Sequence, residues 1–564
     1  MAIHEVTDTA PLSPEQATLA GLWAELLGVD EVGLDDDFFV LGGDSMLAIK
    51  AIVEAERRGV PVELADLFER PTIRRLTTQP NPETPAMPDD PASTGPVEPE
   101  DLVAAEDLMT LPPTVERAYP ATLLQQGLIF EGMTQDESLY HDVISRRIPL
   151  PYDEAAMRRA LEVLADRHEA LRTSINLTDY SVVLQLVSRS ASIPLRSTDA
   201  RGRDTRVALR ADRAHASEPF DPGRGPLVRV AATCLTDDSF QLTYGFHHVI
   251  MDGWSETVFI NQLLRCYATL RLGGDPEPVG PRPSMVEFIR REREAVESPV
   301  RRQFWLSLAA ELPAAAETRS RSGERQRVSI PVPATTRQRI AELGTTLGVP
   351  EKSILLAAHL AACQKHRGGS LPVTGLVTNG RLDEAGGDEM IGHFLNVLPF
   401  AVPVSRDSGD FIRRVLRAER DLFPHRRFPY AELKRLSGHH LYDVTFNYVH
   451  FHLERRLRSA GLMEQGSLEI HDKVSFPLIV DAVRDPDHGG LRLDFSADTA
   501  VWKPDELTRI ADLHQVMLER VAARLPLDPS PEATGTAATS LLRDAGTGRP
   551  VTGRDGAARV STTS

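Results

Sequence analysis

The feature that most limits how this chain can fold is a proline-rich, acidic stretch that separates a small front region from a large remainder. Seven prolines lie within residues 80–99, and no lysine or arginine occurs between Arg75 and Arg117. Proline removes backbone donors and like-charged carboxylates repel one another, so such a segment stays extended and solvated. We therefore predict a linker at residues 79–112 behind a front domain at residues 1–78. A length of 564 residues agrees with several domains of roughly 100–200 residues each.

The negative charge of the chain is concentrated in this front part. The whole chain has a net charge of −18, and residues 1–112 carry 23 acidic and 6 basic residues, a net charge of −17. The other 58 acidic and 57 basic residues nearly cancel. Proteins bind phosphate backbones with lysine and arginine, so the acidic front argues against a nucleic-acid partner and favours a basic protein surface.

The cysteines and the N-terminus indicate the compartment. Cys234, Cys266 and Cys363 are widely spaced and form no CxxC pair. They fit neither a disulfide framework nor a zinc ribbon, and we interpret them as buried thiols in a reducing environment. The most apolar run, residues 354–363, has ten residues and includes His359, whereas a membrane span needs about 20. The N-terminus lacks a signal-peptide pattern, so we expect a cytoplasmic location. We also expect a monomer without a membrane partner.

The front domain has the pattern of a helical bundle. A first helix is predicted to begin at a capping box formed by Ser13 and Gln16 and to end at Gly28. A second helix follows Ser45 and stops at Gly59. Ser45 therefore sits at a helix start. The apolar positions predicted to face the core are Leu19, Leu22, Leu26, Leu47, Ala48, Ala51, Ile52 and Ala55.

The large region contains both helical and strand periods. Within residues 157–171 the positions predicted to face the core recur at intervals of 4, 3, 4 and 3, which predicts an amphipathic helix. They are Met157, Leu161, Leu164, His168 and Leu171. Residues 239–246 alternate apolar with small or polar side chains, which predicts a half-buried strand. The next helix is predicted to be capped by Ser255 and to end at Gly273. Residues 531–564 have the composition of a disordered tail.

Ser45 is the first candidate for covalent chemistry. Two glycines before it allow a tight turn, and the dipole of the helix behind it favours an attached anionic group. An ordinary helix-capping serine is the alternative, while a hydrolase nucleophile is disfavoured because the second glycine of a nucleophile elbow is missing. The surrounding string is Asp35-Asp36-Asp37-Phe38-Phe39-Val40-Leu41-Gly42-Gly43-Asp44-Ser45-Met46-Leu47.

This string resembles the attachment site of peptidyl carrier domains. The resemblance extends over the front domain, from Leu19 to the segment at residues 67–73. It implies that Ser45 carries a 4'-phosphopantetheine arm whose thiol bears an acyl or aminoacyl group.

The second candidate group is His247, His248, Asp252 and Gly253. If the strand continues through the pair, the two imidazoles lie on opposite sides of it, and only one of them is available as a base. The pattern His-His-x-x-x-Asp-Gly resembles the signature of nonribosomal peptide synthetase condensation domains, which have the chloramphenicol acetyltransferase fold. The resemblance implies that Arg381 pairs with Asp252, which makes that aspartate structural. The alternative for Arg381 is an ordinary surface arginine.

Further segments match condensation-domain motifs in the expected order, and the resemblance runs over residues 113–526. These segments are Tyr119-Pro120 with residues 124–130, residues 167–173, Asn379-Gly380-Arg381, residues 391–396, Phe428-Pro429-Tyr430 and residues 443–448.

Metal binding is a rival interpretation of the histidines. His439 and His440 are adjacent, and His450 and His452 alternate on a predicted strand. Zinc sites bring three or four ligands together at short spacings with supporting hydrogen bonds, and we recognise no such set. We therefore predict no metal site.

The two resemblances together imply the architecture and the reaction. We expect a four-helix all-α carrier bundle followed by an α/β chloramphenicol acetyltransferase-like pseudo-dimer, with lobes at residues 113–280 and 281–530 in an open V. A tunnel between the lobes is expected to hold His248. An acceptor amine attacks a donor thioester there and forms an amide. His248 is expected to orient the amine and take its proton, with His247 acting through packing and Gly253 allowing close backbone approach.

The implied partners are other components of peptide assembly in secondary metabolism, for example of an antibiotic or siderophore. They are a phosphopantetheinyl transferase, an adenylation domain in trans or upstream, and an acceptor carrier protein or soluble amine. Alternative functions are an ester-forming or epimerising member of the same family, or a catalytically inactive docking and presentation module.

Overall fold

The computed structural model of the protein describes residues 12–43, 45–62, 66–67, 70–78, 98, 101–134, 139–278, 280, 282–315, 324–368, 371–450, 457–471, 474–484 and 490–527. The predicted tail and most of the predicted linker lie outside the described residues. Within these ranges no helix combines the length and the apolar character needed to cross a membrane.

The front domain contains the helices α1 (Pro14–Leu27), α2 (Ser45–Arg57) and α3 (Ile73–Thr77). The predicted capping box is confirmed, since the backbone N–H groups of Ser13 and Gln16 each donate to the other residue's side chain. Gly28 ends α1 in the left-handed conformation. The predicted inner positions of α2 are buried, together with Trp23 and Phe38, which pack edge to face at 4.9 Å. Segments 63–65 and 68–69, before α3, lie outside the described residues.

The end of the predicted linker is folded, which corrects our prediction of an extended chain through residue 112. Residues 105–109 form helix α4 (Ala105–Met109), and Val103 is buried in one cluster with Leu184 and Leu186. The Asp107 carboxylate accepts hydrogen bonds from the backbone N–H and the hydroxyl of Ser181. The apolar residues of this segment therefore pack against the first lobe, which the composition of the segment does not predict.

The first lobe combines a three-stranded sheet of order β1-β4-β3 with most of a five-stranded sheet. Its elements in chain order are β1 (Val115–Pro120), α5 (Leu123–Thr134), β2 (His141–Ile148), α6 (Glu154–Arg167), β3 (Thr173–Asn176), β4 (Leu184–Ser188), β5 (Leu195–Asp199), α7 (Thr205–Ala216), β6 (Val228–Thr236), β7 (Ser239–His247) and α8 (Gly253–Arg271).

Strand β7 is buried on both faces, so our prediction of a half-buried strand is wrong. Only Gln241 of its residues is partly exposed. The second face is covered by α7, whose backbone comes so close that a Cβ on Gly245 would lie 2.1 Å from the Ala216 carbonyl oxygen. Helix α8 also differs from prediction. Its N-cap is Asp252, whose side chain accepts from the Ser255 N–H, and Ser255 is already helical.

The second lobe is built on a six-stranded mixed sheet of order β10-β9-β11-β13-β14-β8. Strand β12 leaves this lobe and pairs with β2, which completes the first lobe's sheet in the order β12-β2-β7-β6-β5. The elements are α9 (Met285–Glu297), α10 (Pro299–Glu311), β8 (Arg325–Pro331), α11 (Ala334–Leu347), α12 (Glu351–Arg367), β9 (Val373–Asn379), β10 (Leu395–Ala401), α13 (Ser408–Leu422), α14 (Tyr430–Ser437), β11 (Val444–His450), β12 (Glu469–His471), β13 (Leu478–Arg484), β14 (Leu491–Asp498) and α15 (Pro504–Ala522).

Candidate active site

Ser45 is the first residue of α2 and follows a turn that requires glycine. Gly42 has a φ of +106°, and a Cβ on Gly43 would lie 2.3 Å from the Phe38 ring. The Asp37 carboxylate holds the turn by accepting from two backbone N–H groups. The first turn of α2 has no acidic residue, and a helix N-terminus favours a phosphate group. The site therefore fits a phosphodiester-linked arm on Ser45.

His247 is the last residue of β7 and is held as a neutral imidazole. Its Nδ1 accepts the Val249 N–H at 3.0 Å, so Nδ1 carries no proton. Its ring packs edge to face on His141, with 4.8 Å between centroids. Burial, followed by the nearby histidines, lowers the pKa of His247 well below its usual value. These contacts give His247 a packing role.

His248 follows the end of β7, and both of its ring nitrogens contact acceptors. Nδ1 lies 3.0 Å from the Met251 carbonyl oxygen, and Nε2 lies 3.0 Å from Oδ2 of Asp142 on β2. Burial alone would lower the pKa of His248, but the Asp142 carboxylate outweighs it, and the pKa is raised. The sequence analysis missed Asp142. No sequence motif marks Asp142, and only the structure shows that it lies on β2, a strand that is almost fully buried.

Asp252 and Arg381 meet in the interior, and neither side chain is exposed to solvent. Arg381 Nη2 donates to Asp252 Oδ1 at 3.1 Å, and the other carboxylate oxygen accepts the Phe394 N–H at 3.0 Å. The Asp252 N–H donates to the Gly392 carbonyl at 3.1 Å. Burial raises the pKa of Asp252, but Arg381 outweighs that effect and lowers it. Asp252 thus ties the segment after His248 to the second lobe.

The segment held by Asp252 carries a third histidine, His393. Its ring centroid lies 5.9 Å from that of His248 at nearly a right angle. Its Nδ1 is buried, and no described residue forms a hydrogen bond with it. Burial and the neighbouring His248 lower the pKa of His393 to about 4. We quoted His393 within a family-like motif but assigned it no role, so the sequence analysis missed it as a site residue.

A cavity of about 790 Å³ opens between the lobes and is lined by His248 and His393. The first lobe contributes Tyr140 to its wall, and the second lobe contributes residues of β10, β11 and β13. Its polar side chains in the second lobe include Asn396, Thr445, Asn447 and Asp481. Burial, as the largest effect, raises the pKa of Asp481 to about 6. The cavity is large enough for a small ligand.

The front domain contacts the large region at the loop that carries Asp388, between Arg381 and His393. Lys50 Nζ on α2 lies 3.7 Å from Asp388 Oδ2. The backbone carbonyl of Asp388 accepts the indole N–H of Trp254 at 2.8 Å, and Trp254 follows Asp252 by two residues. Trp254 and Phe423 also pack against the apolar core of the front domain. The helix that begins at Ser45 therefore lies against the segment that connects Arg381 with His393.

Gly253 is exposed at the start of α8, and a Cβ there would meet no atom within 4 Å. Packing within the chain therefore does not require glycine at this position, and the expectation that Gly253 allows a close approach to the backbone stays a prediction.

Of the two histidine pairs considered as metal ligands, only His439 and His440 lie fully within the described residues. His439 Nδ1 contacts the His440 carbonyl, while the side chain of His450 and all of His452 lie outside the described residues. A cluster that we did not predict is His359, Cys363 and His514. There, His359 Nδ1 lies 2.9 Å from His514 Nε2, and His514 Nδ1 lies 2.7 Å from the Ile510 carbonyl oxygen. The hydrogen bonds that join His359, His514 and the Ile510 carbonyl therefore account for the short distances between the two histidines.

Comparisons with known proteins identify the family of both parts of the chain. The family model described as the condensation domain matches residues 115–533, and the phosphopantetheine attachment site matches residues 17–79. AMB antimetabolite synthetase AmbE from Pseudomonas aeruginosa is 34% identical over 492 residues, which cover 84% of this chain and 23% of that protein. Malpibaldin synthetase from Mortierella alpina is 26% identical over 541 residues, which cover 92% of this chain and 9% of that protein. The chain thus spans a quarter or less of these two relatives.

Solved structures show the same fold. The first condensation domain of the calcium-dependent antibiotic synthetase, in complex with a substrate analogue, is 19% identical, with a TM-score of 0.60 over 74% of this chain and 98% of that one. The X-domain complex with OxyB from teicoplanin biosynthesis gives a TM-score of 0.61 at 20% identity, over 77% of this chain and 99% of that one. The chain belongs to the condensation-domain family of nonribosomal peptide synthetases and has a phosphopantetheine attachment domain at its front.

Proposed function

We propose that this chain transfers an acyl or peptidyl group from its own carrier domain to an acceptor amine and forms an amide bond. The observation that carries the proposal is the position of His248 in a cavity lined by both lobes. The helix that begins at Ser45 contacts Asp388, in the loop between Arg381 and His393. Phosphopantetheine attached to Ser45 supplies a thiol that holds the donor as a thioester.

The residues of the chain would act mainly by positioning. An α-amino group with a pKa near 8 is partly unprotonated at neutral pH, so its deprotonation costs little. General base catalysis adds about 10² to 10⁴, whereas fixing two reactants side by side gives effective molarities of about 10⁵ to 10⁸ M. The cavity walls bind and orient the reactants, and Asp252 with Arg381 fixes the loops that carry His248 and His393.

The partners are part of this proposal. A phosphopantetheinyl transferase would modify Ser45, an adenylation domain would supply the activated donor, and an acceptor carrier or a soluble amine would provide the nucleophile. The acidic front of the chain favours basic surfaces on these partners. We also propose a cytoplasmic location, which the three free cysteines support.

The attachment step is tested by intact-protein mass spectrometry. The full chain is incubated with a phosphopantetheinyl transferase and an acyl coenzyme A. We expect one acyl-phosphopantetheine on the wild-type protein and none on Ser45→Ala, while Ser13→Ala, which changes the cap of α1, is still loaded. An unchanged wild-type mass would contradict the attachment. The loaded protein is then given amines and alcohols, and an ester rather than an amide would favour the ester-forming alternative.

An epimerising reaction is the second candidate, and one observation favours it. Two imidazoles, His248 and His393, line one cavity, and inversion at a donor α-carbon needs proton removal and return at two faces. The test is to incubate the loaded protein in deuterium oxide without an acceptor. Deuterium at the donor α-carbon would favour this candidate, and its absence together with amide formation would favour transfer. Neither reaction with any donor would favour the docking and presentation module.

A further inference from the structure

The floor of the cavity between the lobes is one face of the six-stranded sheet. On β11 and β13, Thr445, Asn447, Ile479 and Asp481 line the cavity, while the residues that alternate with them pack into the core on the opposite face. Asn447 and Asp481 lie opposite each other in the pairing of the two strands. A carboxamide and a carboxylate therefore stand side by side on this floor.

Asp481 has fewer partners than the other acidic side chains that line this cavity. Asp443 pairs with Arg367, and Glu131 accepts from two hydroxyl groups. Asp481 accepts one hydrogen bond within the described residues, from the Asn447 amide to Oδ1 at 3.1 Å, and it forms no ion pair there. The cavity thus holds a carboxylate that only a neutral group contacts.

The second carboxylate oxygen of Asp481 is open to a ligand. Asp481 is partly exposed, and its Oδ2 forms no hydrogen bond within the described residues yet is not enclosed by protein atoms. The same holds for Oδ1 of Asn447, whose Nδ2 donates to the carboxylate. Because both side chains line the cavity, the accessible surface of these oxygens belongs to it. The pair therefore offers two hydrogen-bond acceptors to a bound molecule.

The carboxyl group of Asp481 is charged at neutral pH. Burial is the largest effect that raises its pKa to about 6, and Asp494 acts in the same direction. A group with this pKa is about 90% ionised at pH 7. Arg325 and Arg327 act in the opposite direction without forming an ion pair with it, and Arg325 already donates to the Ser496 hydroxyl at 2.8 Å. A carboxylate held in a cavity without a cation is costly, and a ligand that brings a cation removes this cost.

We propose that Asp481, together with Asn447, binds an ammonium or guanidinium group on the side chain of a reactant, so that one of the two substrates is a basic amino acid or a diamine. This role rests on the proposed function, because the reactants of the transfer must enter this cavity. An ammonium group brings three N–H donors and a guanidinium group five, which match the two acceptor oxygens. Val377, Val397 and Ile479 line the cavity on the same sheet and fit the aliphatic stem of such a side chain.

Two matched pairs of soluble substrates test this role and distinguish the acceptor from the donor. Citrulline replaces the guanidinium of arginine with an uncharged urea of the same shape. Argininamide and citrullinamide are compared as acceptors with an acetyl thioester of N-acetylcysteamine, and the Nα-acetylated arginyl and citrullinyl thioesters are compared as donors with glycinamide. We expect kcat/KM of the wild-type protein to favour the arginine member of one pair about 10-fold or more, mainly through KM. Asp481→Asn should abolish this preference.

The matched control is Asp494→Asn. Asp494 lies opposite Asp481 on β14, but it pairs with Arg492 and does not line the cavity. Asp494→Asn should keep the preference for arginine. Because Asp481 has no cation to lose, Asp481→Asn should also keep the wild-type Tm, whereas loss of a purely structural carboxylate would lower it. Equal kcat/KM for arginine and citrulline in both pairs, or a preference that Asp481→Asn retains, would overturn the proposal.

Binding without reaction separates this role from the proposed function. Calorimetric titration of the unloaded full chain with argininamide should give binding about 10-fold or more tighter than with citrullinamide, a difference that Asp481→Asn removes. If wild-type protein forms no amide with any amine, the proposed function falls, and the titration alone decides whether Asp481 binds a cation. If amide forms without a preference and without tighter binding, only the role of Asp481 is wrong. If Asp481→Asn does not fold, the comparison of arginine with citrulline on wild-type protein still decides.

Discussion

Replacing Asp252 by alanine should destabilise the protein through an isolated buried charge. The variant leaves Arg381 without its carboxylate in a site with no solvent exposure. Breaking a buried ion pair in this way costs about 3–5 kcal/mol. The same change removes the cap that accepts the Ser255 N–H at 2.7 Å, worth about 1 kcal/mol. We therefore expect a loss of about 4–6 kcal/mol.

The expected change in melting temperature follows from the size of the condensation domain. An unfolding entropy of about 2.1 cal/mol/K per residue over roughly 400 residues gives about 0.8 kcal/mol/K. The loss then corresponds to a decrease in Tm of about 5–7 °C, measurable by calorimetry on the full chain. Asp153→Ala is the matched control. Asp153 caps α6 by accepting the Ala156 N–H at 3.0 Å and forms no ion pair within the part of the chain that the structure describes, so we expect a decrease of about 1 °C.

A double variant separates the effect of the uncompensated Arg381 charge on stability from the effect of lost packing. Because the uncompensated charge of Arg381 causes most of the loss, Asp252→Ala with Arg381→Met should lose less stability than the sum of the two single variants. If Asp252→Ala lowers Tm no more than Asp153→Ala does, the structural role assigned to Asp252 is wrong.

Three further predictions concern other parts of the fold. Gly245→Ala should lower stability markedly, because its Cβ would lie 2.1 Å from the Ala216 carbonyl, and unchanged urea unfolding would contradict this. Burial raises the pKa of Glu292 to about 7 from 4.5, so its contribution to stability is present below pH 4.5 and is lost as the pH rises through 7. Glu292→Gln should therefore flatten the pH dependence of Tm over that interval. Lys50→Glu should weaken transfer from the attached carrier by repulsion from Asp388, while a soluble thioester still reacts at the wild-type rate.

Local sequence signals predicted several elements well. The capping box at Ser13, the left-handed Gly28 and the 3.6-residue period of α6 depend on residues within a few positions of one another. The family resemblance pointed to Ser45 and His248 for the same reason, since each lies in a short continuous motif. The prediction that Ser255 caps α8 was wrong because aspartate and serine are both favourable N-cap residues, and Asp252 occupies that position in the structure.

Contacts between distant segments account for what sequence reasoning missed. Asp142 meets His248 only because β2 and β7 pair in one sheet, and His393 meets it only because the second lobe packs against the first. The second face of β7 is buried by α7, which a two-residue alternation cannot reveal. The folded end of the linker likewise depends on a surface near Leu184 that composition does not describe.

The proposed function requires that His248 and its cavity transfer the group held on Ser45 to an amine. A single-turnover time course by intact-protein mass spectrometry tests it directly, with wild-type protein and His248→Ala loaded equally and mixed with an acceptor amine. We expect the wild-type protein to lose the acyl mass while an equal amount of amide forms, and His248→Ala to keep its acyl group. Equal rates of transfer in both proteins, or loss of the acyl group only to water, would contradict it.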